Sequence, residues 1–253
     1  MNKQQLAVQI HTIRDYLGSS KEIEKSLQKI KAIGFNTIEL FPYDFNYRDI
    51  RKILDDTELT CCSMLAAGDQ ILSEPEKVLE NIKIIGAEYL IFPYPRNIDL
   101  SSEQNVIEFA KKLNKTGEFF KNNNVQFAYH NHSIEFQKIN SNTIFDMIYS
   151  NCNPDFLKAE IDCYWVHYGG GNILEVCEKL TNRMPLIHLK DYAVDNEGKP
   201  VFAEVGKGNL NFCQIIKAAS KVGCKWFIVE QDQCYCNPFD ALKYSYNYIL
   251  ELK

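Results

Sequence analysis

Long apolar runs are missing from this 253-residue chain: none approaches the roughly 18–20 residues that a membrane-crossing helix needs. The opening MNKQQLAVQIHTIRD turns polar before a signal-peptide core could form, so a cytoplasmic location without a membrane partner is expected. No Cys-x-x-Cys pair occurs among the nine cysteines, an odd number, which argues against a disulfide framework and the usual zinc spacings. They read as reduced thiols that mostly fill the core. A basic excess is lacking too. The 28 Lys and Arg are outnumbered by 33 Asp and Glu, giving a net charge of -5, the wrong sign for a nucleic-acid partner. The cluster Lys111, Lys112 and Lys115 falls on an expected helix and reads as a solvated face. Finally, no Gly-x-Gly-x-x-Gly follows the first strand, where a dinucleotide fold requires it; Gly169-Gly170-Gly171 comes late and lacks that spacing.

What the chain does contain is a regular alternation of short β-branched or aromatic runs with longer amphipathic ones, the pattern of βα units around a parallel sheet. Strands are expected at 6–10, 37–41, 59–65, 88–92, 125–130, 156–162, 184–190 and 226–230. Helices are expected near 20–33, 47–56, 74–85, 101–122, 141–149, 172–180, 210–222 and 238–252. Gly34, Gly86 and Gly223 each close one of these helices just before a strand. Eight such units fit a single closed (β/α)8 TIM barrel better than an open doubly wound sheet, and nothing marks a linker, so residues 1–253 are expected to form one domain.

A barrel of this kind builds its site at the C-terminal strand ends. Ionisable residues collect there: His11 after the first strand, Glu39 on the second, His130, His132 and Glu135 after the fifth. The sixth ends in Glu160 and Asp162, the seventh in His188 and Lys190, the eighth in Glu230 and Asp232. Alternation puts each of the last three pairs on one face, pointing into the mouth, while Ile161, Ile187, Leu189, Ile228 and Val229 suit the helix-packed outside. Several carboxylates buried together need a cation, and acids with one imidazole make an oxygen-rich site suited to Mn2+, Mg2+ or Co2+, with Zn2+ as a further option. Lys190 pairs with Asp162 or Asp191, or faces substrate, with Asp191 turned outward. Tyr164 and Trp165 either stack on a sugar ring or close the core; Tyr43, Tyr47, Phe92 and Tyr94 are candidates for an aromatic wall, and His167 for a rim position. Gly206-x-Gly208 and the 169–171 glycines are candidates for holding a phosphate.

In order along the chain, VQIHTIRD, TIELF, AYHNHSIEF, AEIDCYWVHYGG, LIHLKDY, AEVGKGNLNF and WFIVEQD resemble the xylose isomerase-like barrel superfamily, in particular its sugar phosphate isomerase/epimerase-type members. The resemblance implies one divalent metal held by Glu, Asp, His and Glu from successive strands, with the two glutamates moving the proton. By motif position Asp162, His188 and Glu230 match the last three. His130 or His132 stands where the first Glu is expected, and Glu160 is the carboxylate nearest to replacing it. An arginine that family members carry shortly after the metal histidine is also absent, position 194 being Val, with Lys190 as its substitute.

The expected chemistry is therefore proton abstraction beside a carbonyl of a sugar or keto-sugar, through an enediolate that a divalent metal, Mn2+ first, stabilises. Metal ligands are expected at Glu160, Asp162, His188 and Glu230; proton transfer at Glu230 with Glu160 or His132; oxyanion contact at Lys190; substrate contacts at His130, Trp165, Glu39 and His11. Isomerisation or epimerisation is the leading outcome, dehydration of a keto-sugar or keto-inositol the alternative, and a non-catalytic sugar-binding subunit a third reading. A three-zinc endonuclease would need more than the five histidines present and a basic surface. A homo-oligomer is compatible with all of these. His188→Ala is expected to abolish metal binding with little loss of fold.

Overall fold

Each of the eight β-branched or aromatic runs forms a strand, because side chains on both faces are apolar enough to be buried between a barrel interior and a helical coat. In a computed structural model that describes residues 1–252, these strands are β1 (Leu6–Gln9), β2 (Thr37–Leu40), β3 (Thr60–Leu65), β4 (Tyr89–Phe92), β5 (Gln126–His130), β6 (Lys158–Asp162), β7 (Leu186–Leu189) and β8 (Trp226–Val229). All neighbours pair in parallel, and β8 closes onto β1, so the architecture is a single (β/α)8 barrel. The helices outside it are α1 (Ser20–Ile33), α2 (Tyr47–Asp56), α3 (Gly68–Ser73), α4 (Pro75–Ile85), α5 (Glu103–Asn122), α6 (Ile144–Ser150), α7 (Cys163–Tyr168), α8 (Ile173–Lys179), α9 (Phe212–Lys221) and α10 (Pro238–Glu251). Gly34, Gly86 and Gly223 take φ of 123°, 78° and 92°, as three helix-ending glycines before strands should.

Two cores result. The larger lies between strands and helices, and the smaller, with Ala7, Tyr89, Ile91, Ala128, Leu186 and Ile228, fills the barrel below the site. Ile228 is thus inside, contrary to the exterior place expected of it, because it shares the parity of Glu230. No disulfide forms among the described residues, and six cysteines, at 61, 62, 152, 163, 177 and 224, are buried as core filler. Lys111, Lys112 and Lys115 are exposed on α5.

Arg183, just before β7, ties three segments together. Its guanidinium donates to the carbonyls of Tyr149 at 2.7 Å, Cys152 at 2.9 Å and Leu157 at 2.9 Å, tying the end of α6 to the start of β6. Arg183→Ala is expected to lower unfolding stability by about 3 kcal/mol, since three charge-assisted bonds go at once. Urea denaturation measures it; an unchanged midpoint would show that water replaces the guanidinium without cost.

Three features were not expected from sequence: a short hairpin pairing Lys138–Ile139 with Asn142–Thr143, a longer one pairing Asp191–Val194 with Pro200–Ala203, and the single-turn helices α3 and α7. His167 consequently sits on α7, exposed, with its ring 4.5 Å from that of Tyr192.

Candidate active site at the strand ends

Strand register alone makes half of the site. Glu39 is the partner of Gln9 across β1–β2, His130 of Glu160 across β5–β6, and Asp162 of His188 across β6–β7. A register shift between Ile38 and Glu39 brings Ser63 of β3 opposite Glu39. Side chains so placed meet directly. Glu39 accepts from Gln9 Nε2 at 2.9 Å and from Ser63 Oγ at 2.5 Å, and its Oε1 lies 2.6 Å from His188 Nε2. His130 Nδ1 is 2.9 Å from Glu160 Oε2.

His188 is the hub. Besides Glu39, it faces Glu230 Oε2 from Nδ1 at 2.8 Å, Glu160 Oε2 at 3.4 Å and Asp162 Oδ2 at 3.8 Å. Lys190, 2% exposed, places its ammonium 2.9 Å from Asp162 Oδ2, 2.6 Å from Glu230 Oε2 and 3.0 Å from Asp232 Oδ1. Of the two pairings considered for Lys190, then, Asp162 is the one made. His11, on a 3-10 turn after β1, approaches Glu230 at 3.6 Å and Asp232 at 3.9 Å, with its ring edge against Phe41.

The electrostatics sort these groups. Burial works to raise the Glu230 carboxyl, but Lys190 and then His188 outweigh it and hold it well below the usual range, so it is ionised. Burial and the neighbouring Glu39 push Glu160 well above its usual range. Asp162 is raised to about 6 by burial, against the pull of Lys190 and His188. Burial opposes the charge on both cations, yet Glu160, Glu39 and Glu230 keep His188 raised, and Asp162, Glu230 and Asp232 keep Lys190 raised. His130 and His132 go the other way: burial lowers His130 well below its usual value and His132 to about 3, so both rings are neutral. Carboxyls with proton affinities driven apart are the raw material of acid–base chemistry.

Ligand-capable atoms cluster in three overlapping groups: His130, Glu160 and His188; Asp162, His188 and Glu230; and His11, Glu230 and Asp232. Glu160 therefore gathers with His130 and His188, one step along the floor from Asp162 and Glu230. Two buried carboxylate oxygens, Glu160 Oε1 and Asp162 Oδ2, have no hydrogen-bond partner; the ammonium beside Asp162 Oδ2 is within ion-pair reach without hydrogen-bond alignment. Glu160 Oε1, unpartnered at that depth, and Asp162 Oδ2, neutralised only by the ammonium, make with the imidazole a donor set that fits a divalent cation.

Above these groups opens a cavity of about 670 Å3. One wall carries His130, His188, Lys190 and Glu230; the other, from the end of β3 and the loops after β2 and β4, carries Leu65, Phe41 and Tyr94. Glu39, Glu160 and Asp162 are fully buried behind this lining. Trp165 lies behind His132, ring centroids 5.3 Å apart, and its Nε1 is buried without a partner. Tyr164 closes the core against Phe202 at 4.3 Å. Of the aromatic wall, Tyr94 is in place and Tyr43 is exposed nearby, but Phe92 faces outward and stacks on Tyr129 in the core.

Asp191 does turn away from the mouth, yet it is buried, not solvated. Its carboxylate accepts the N–H groups of Tyr192 at 2.8 Å, Gly206 at 2.9 Å, Gly208 at 2.9 Å and Leu210 at 3.2 Å. The amides of the Gly206-x-Gly208 loop thus already hold an anion, and a Cβ on Gly208 would collide with that carboxylate. Gly169 and Gly171 pack against Phe136. Neither glycine run is open to a phosphate. Sequence reasoning gave no role to Ser63 or to Asn131, whose side-chain oxygen accepts the Asp162 N–H at 3.1 Å, a small inward polar residue being the only signal each offers, and it placed Glu135 after the fifth strand without foreseeing that it accepts the His132 N–H at 2.8 Å.

Comparison with known proteins follows the same line. An inosose dehydratase of Mesomycoplasma hyopneumoniae (strain 7448) is 23% identical over 280 residues, spanning 93% of this chain and 90% of that protein. The crystal structure of a sugar phosphate isomerase/epimerase from Parabacteroides distasonis superposes with a TM-score of 0.84 at 20% identity, covering 98% of this chain and 94% of the other. The IOLI protein, solved with a zinc atom, gives 0.74 at 13% identity over 98% of this chain and 97% of its own. At those identities the structural likeness speaks for the fold alone. The family model for the xylose isomerase-like TIM barrel, however, matches residues 27–251, well over half of the chain, and the chain belongs to the xylose isomerase-like TIM barrel family.

Proposed function

We propose that this chain is a divalent-metal-dependent enzyme that removes a proton beside the carbonyl of a sugar or keto-sugar, with isomerisation or epimerisation as the outcome. The observation that carries this reading is the cluster of acids around His188, with Glu230 on the cavity wall and Glu160 and Asp162 buried behind it, Glu160 Oε1 having no hydrogen-bond partner. Asp162, His188, Glu230 and Glu160 would hold the ion, for which manganese is the first candidate given three carboxylates and one imidazole. The ion's contribution when bound is Lewis-acid polarisation of the carbonyl oxygen.

The chain's own residues do the rest. Glu230 takes the proton as base. Protonated in that step, Glu230 gives the proton to the neighbouring carbon for isomerisation, or loses it to solvent while water on the opposite face reprotonates the carbon for epimerisation; His132, a neutral ring in the cavity lining, contacts a substrate hydroxyl, and Glu160, buried behind the lining, holds the His130 ring at 2.9 Å. Lys190 donates to the substrate oxygen that gains charge. Phe41 and Tyr94 receive the apolar face of a ring, and His11 its hydroxyls. Dehydration is the second reading, favoured by the name of the Mesomycoplasma relative; in it the proton that Glu230 removes goes to the β-hydroxyl, which leaves as water as the carbon–oxygen bond breaks.

The test is solvent exchange in D2O. Protein loaded with Mn2+, Mg2+, Co2+ or Zn2+ is incubated with ketoses, keto-inositols and keto-glycosides and followed by NMR. Deuterium entering the carbon beside the carbonyl, with a new epimer or isomer, supports the reading, and an enone with loss of water moves the assignment to dehydration. No exchange with any compound and any ion would leave a sugar-binding subunit as the better account.

A further inference from the structure

We propose that Lys190 is the site's own counter-ion: its ammonium holds the place between Asp162 and Glu230 that a divalent ion takes on binding, so that metal loading and this lysine position exclude one another. The inference rests on the divalent-ion reading above. It begins from the burial of Lys190, 2% exposed, which a lysine tolerates only when fully paired. Asp162 spends one oxygen on the N-terminus of α7, accepting the Trp165 N–H at 3.2 Å, and turns the other, Oδ2, to the ammonium at 2.9 Å. Glu230 Oε2 lies 2.6 Å from the same nitrogen.

An ion bridging these two oxygens would sit roughly 2.0–2.6 Å from each, within the volume the ammonium fills. Two positive centres cannot share it. Asp162 is also fully buried and absent from the cavity lining, whereas Lys190 lines the cavity. An ion arriving from the cavity therefore reaches Asp162 only after the ammonium has left.

The lysine has somewhere to go. Asp232, with a side chain 24% exposed at the cavity rim, already lies 3.0 Å from Nζ, and the Trp165 ring is 5.8 Å away. Rotation of the four-carbon stem keeps the Asp232 pair and releases Asp162 and Glu230. In that position the ammonium faces the cavity, where a substrate oxygen would be. The metal-free protein is thereby stabilised by a cation of its own, and metal affinity is held down by the same charge.

The experiment is titration of Mn2+ into metal-free wild type, Lys190→Met and Lys190→Arg by calorimetry. Lys190→Met is expected to bind Mn2+ at least tenfold more tightly than wild type, Lys190→Arg no more tightly. In parallel, amine-reactive labelling read by peptide mass spectrometry follows the native lysine, expected to be protected in metal-free wild type and modified several-fold faster with Mn2+. This second readout stands if Lys190→Met fails to fold. Equal or weaker Mn2+ binding by Lys190→Met, or labelling that Mn2+ does not change, overturns the inference and leaves the metal reading intact. Absence of binding to wild type and both variants removes both.

Discussion

Glu230→Gln is expected to slow proton exchange by roughly 10^2–10^4-fold, the usual worth of a positioned acid or base, with the fold intact. The substitution preserves shape and removes basicity. Glu230 is the one carboxyl of the site that lines the cavity while lying 2.6 Å from Lys190 and 2.8 Å from His188, so its charge is held where a substrate hydrogen would be. An amide accepts from those donors less strongly, and Mn2+ affinity should fall as well. Deuterium exchange into substrate at saturating Mn2+ separates the effects, since excess ion restores binding and not basicity. A variant exchanging within tenfold of wild type would take Glu230 out of the proton-moving role.

His188→Ala carries the second large effect, and here the structure changes what the sequence leads one to expect. Metal binding should be lost, weakened by at least about 100-fold, a larger loss than removal of an outer-shell partner brings. The fold should suffer too. His188 is the charged partner of Glu39 at 2.6 Å and Glu230 at 2.8 Å, and both Glu39 and Glu160 are fully buried around it. Removing one member of a buried ion pair costs about 3–5 kcal/mol, because the other charge stays behind without compensation. Thermal unfolding of the metal-free variant should show a clear drop in midpoint, and Mn2+ titration no saturable binding. Wild-type stability would mean that the acids around position 188 tolerate loss of the imidazole; wild-type Mn2+ affinity would place the metal elsewhere.

Much of this was legible before any coordinates. A period of two put Glu160 with Asp162 and His188 with Lys190 on one side of their strands, and each pair does face the barrel axis. The same rule, applied with the right parity, would have placed Ile228 inside with Glu230. Less legible was the fate of single residues beyond the strand ends. Asp191 follows Lys190 immediately, and its sequence neighbours do not disclose that three backbone N–H groups from a loop 15 to 19 positions later fold onto it. Trp165 reads equally well as a sugar platform or as filler until α7 turns it behind His132.

By itself, the sequence determined the barrel, the eight strands and the set of inward acids, since these follow from local periodicity and from glycines that end helices. Tertiary structure alone decided which partner each ionisable group received. His188 and Glu39 are 149 positions apart and meet at 2.6 Å only because the barrel closes; Lys190, not a second imidazole, fills the space between Asp162 and Glu230 because β6, β7 and β8 are adjacent in that register. Charges in a low-dielectric interior are governed by distances of a few ångströms, and such distances are set by packing and register across the whole chain.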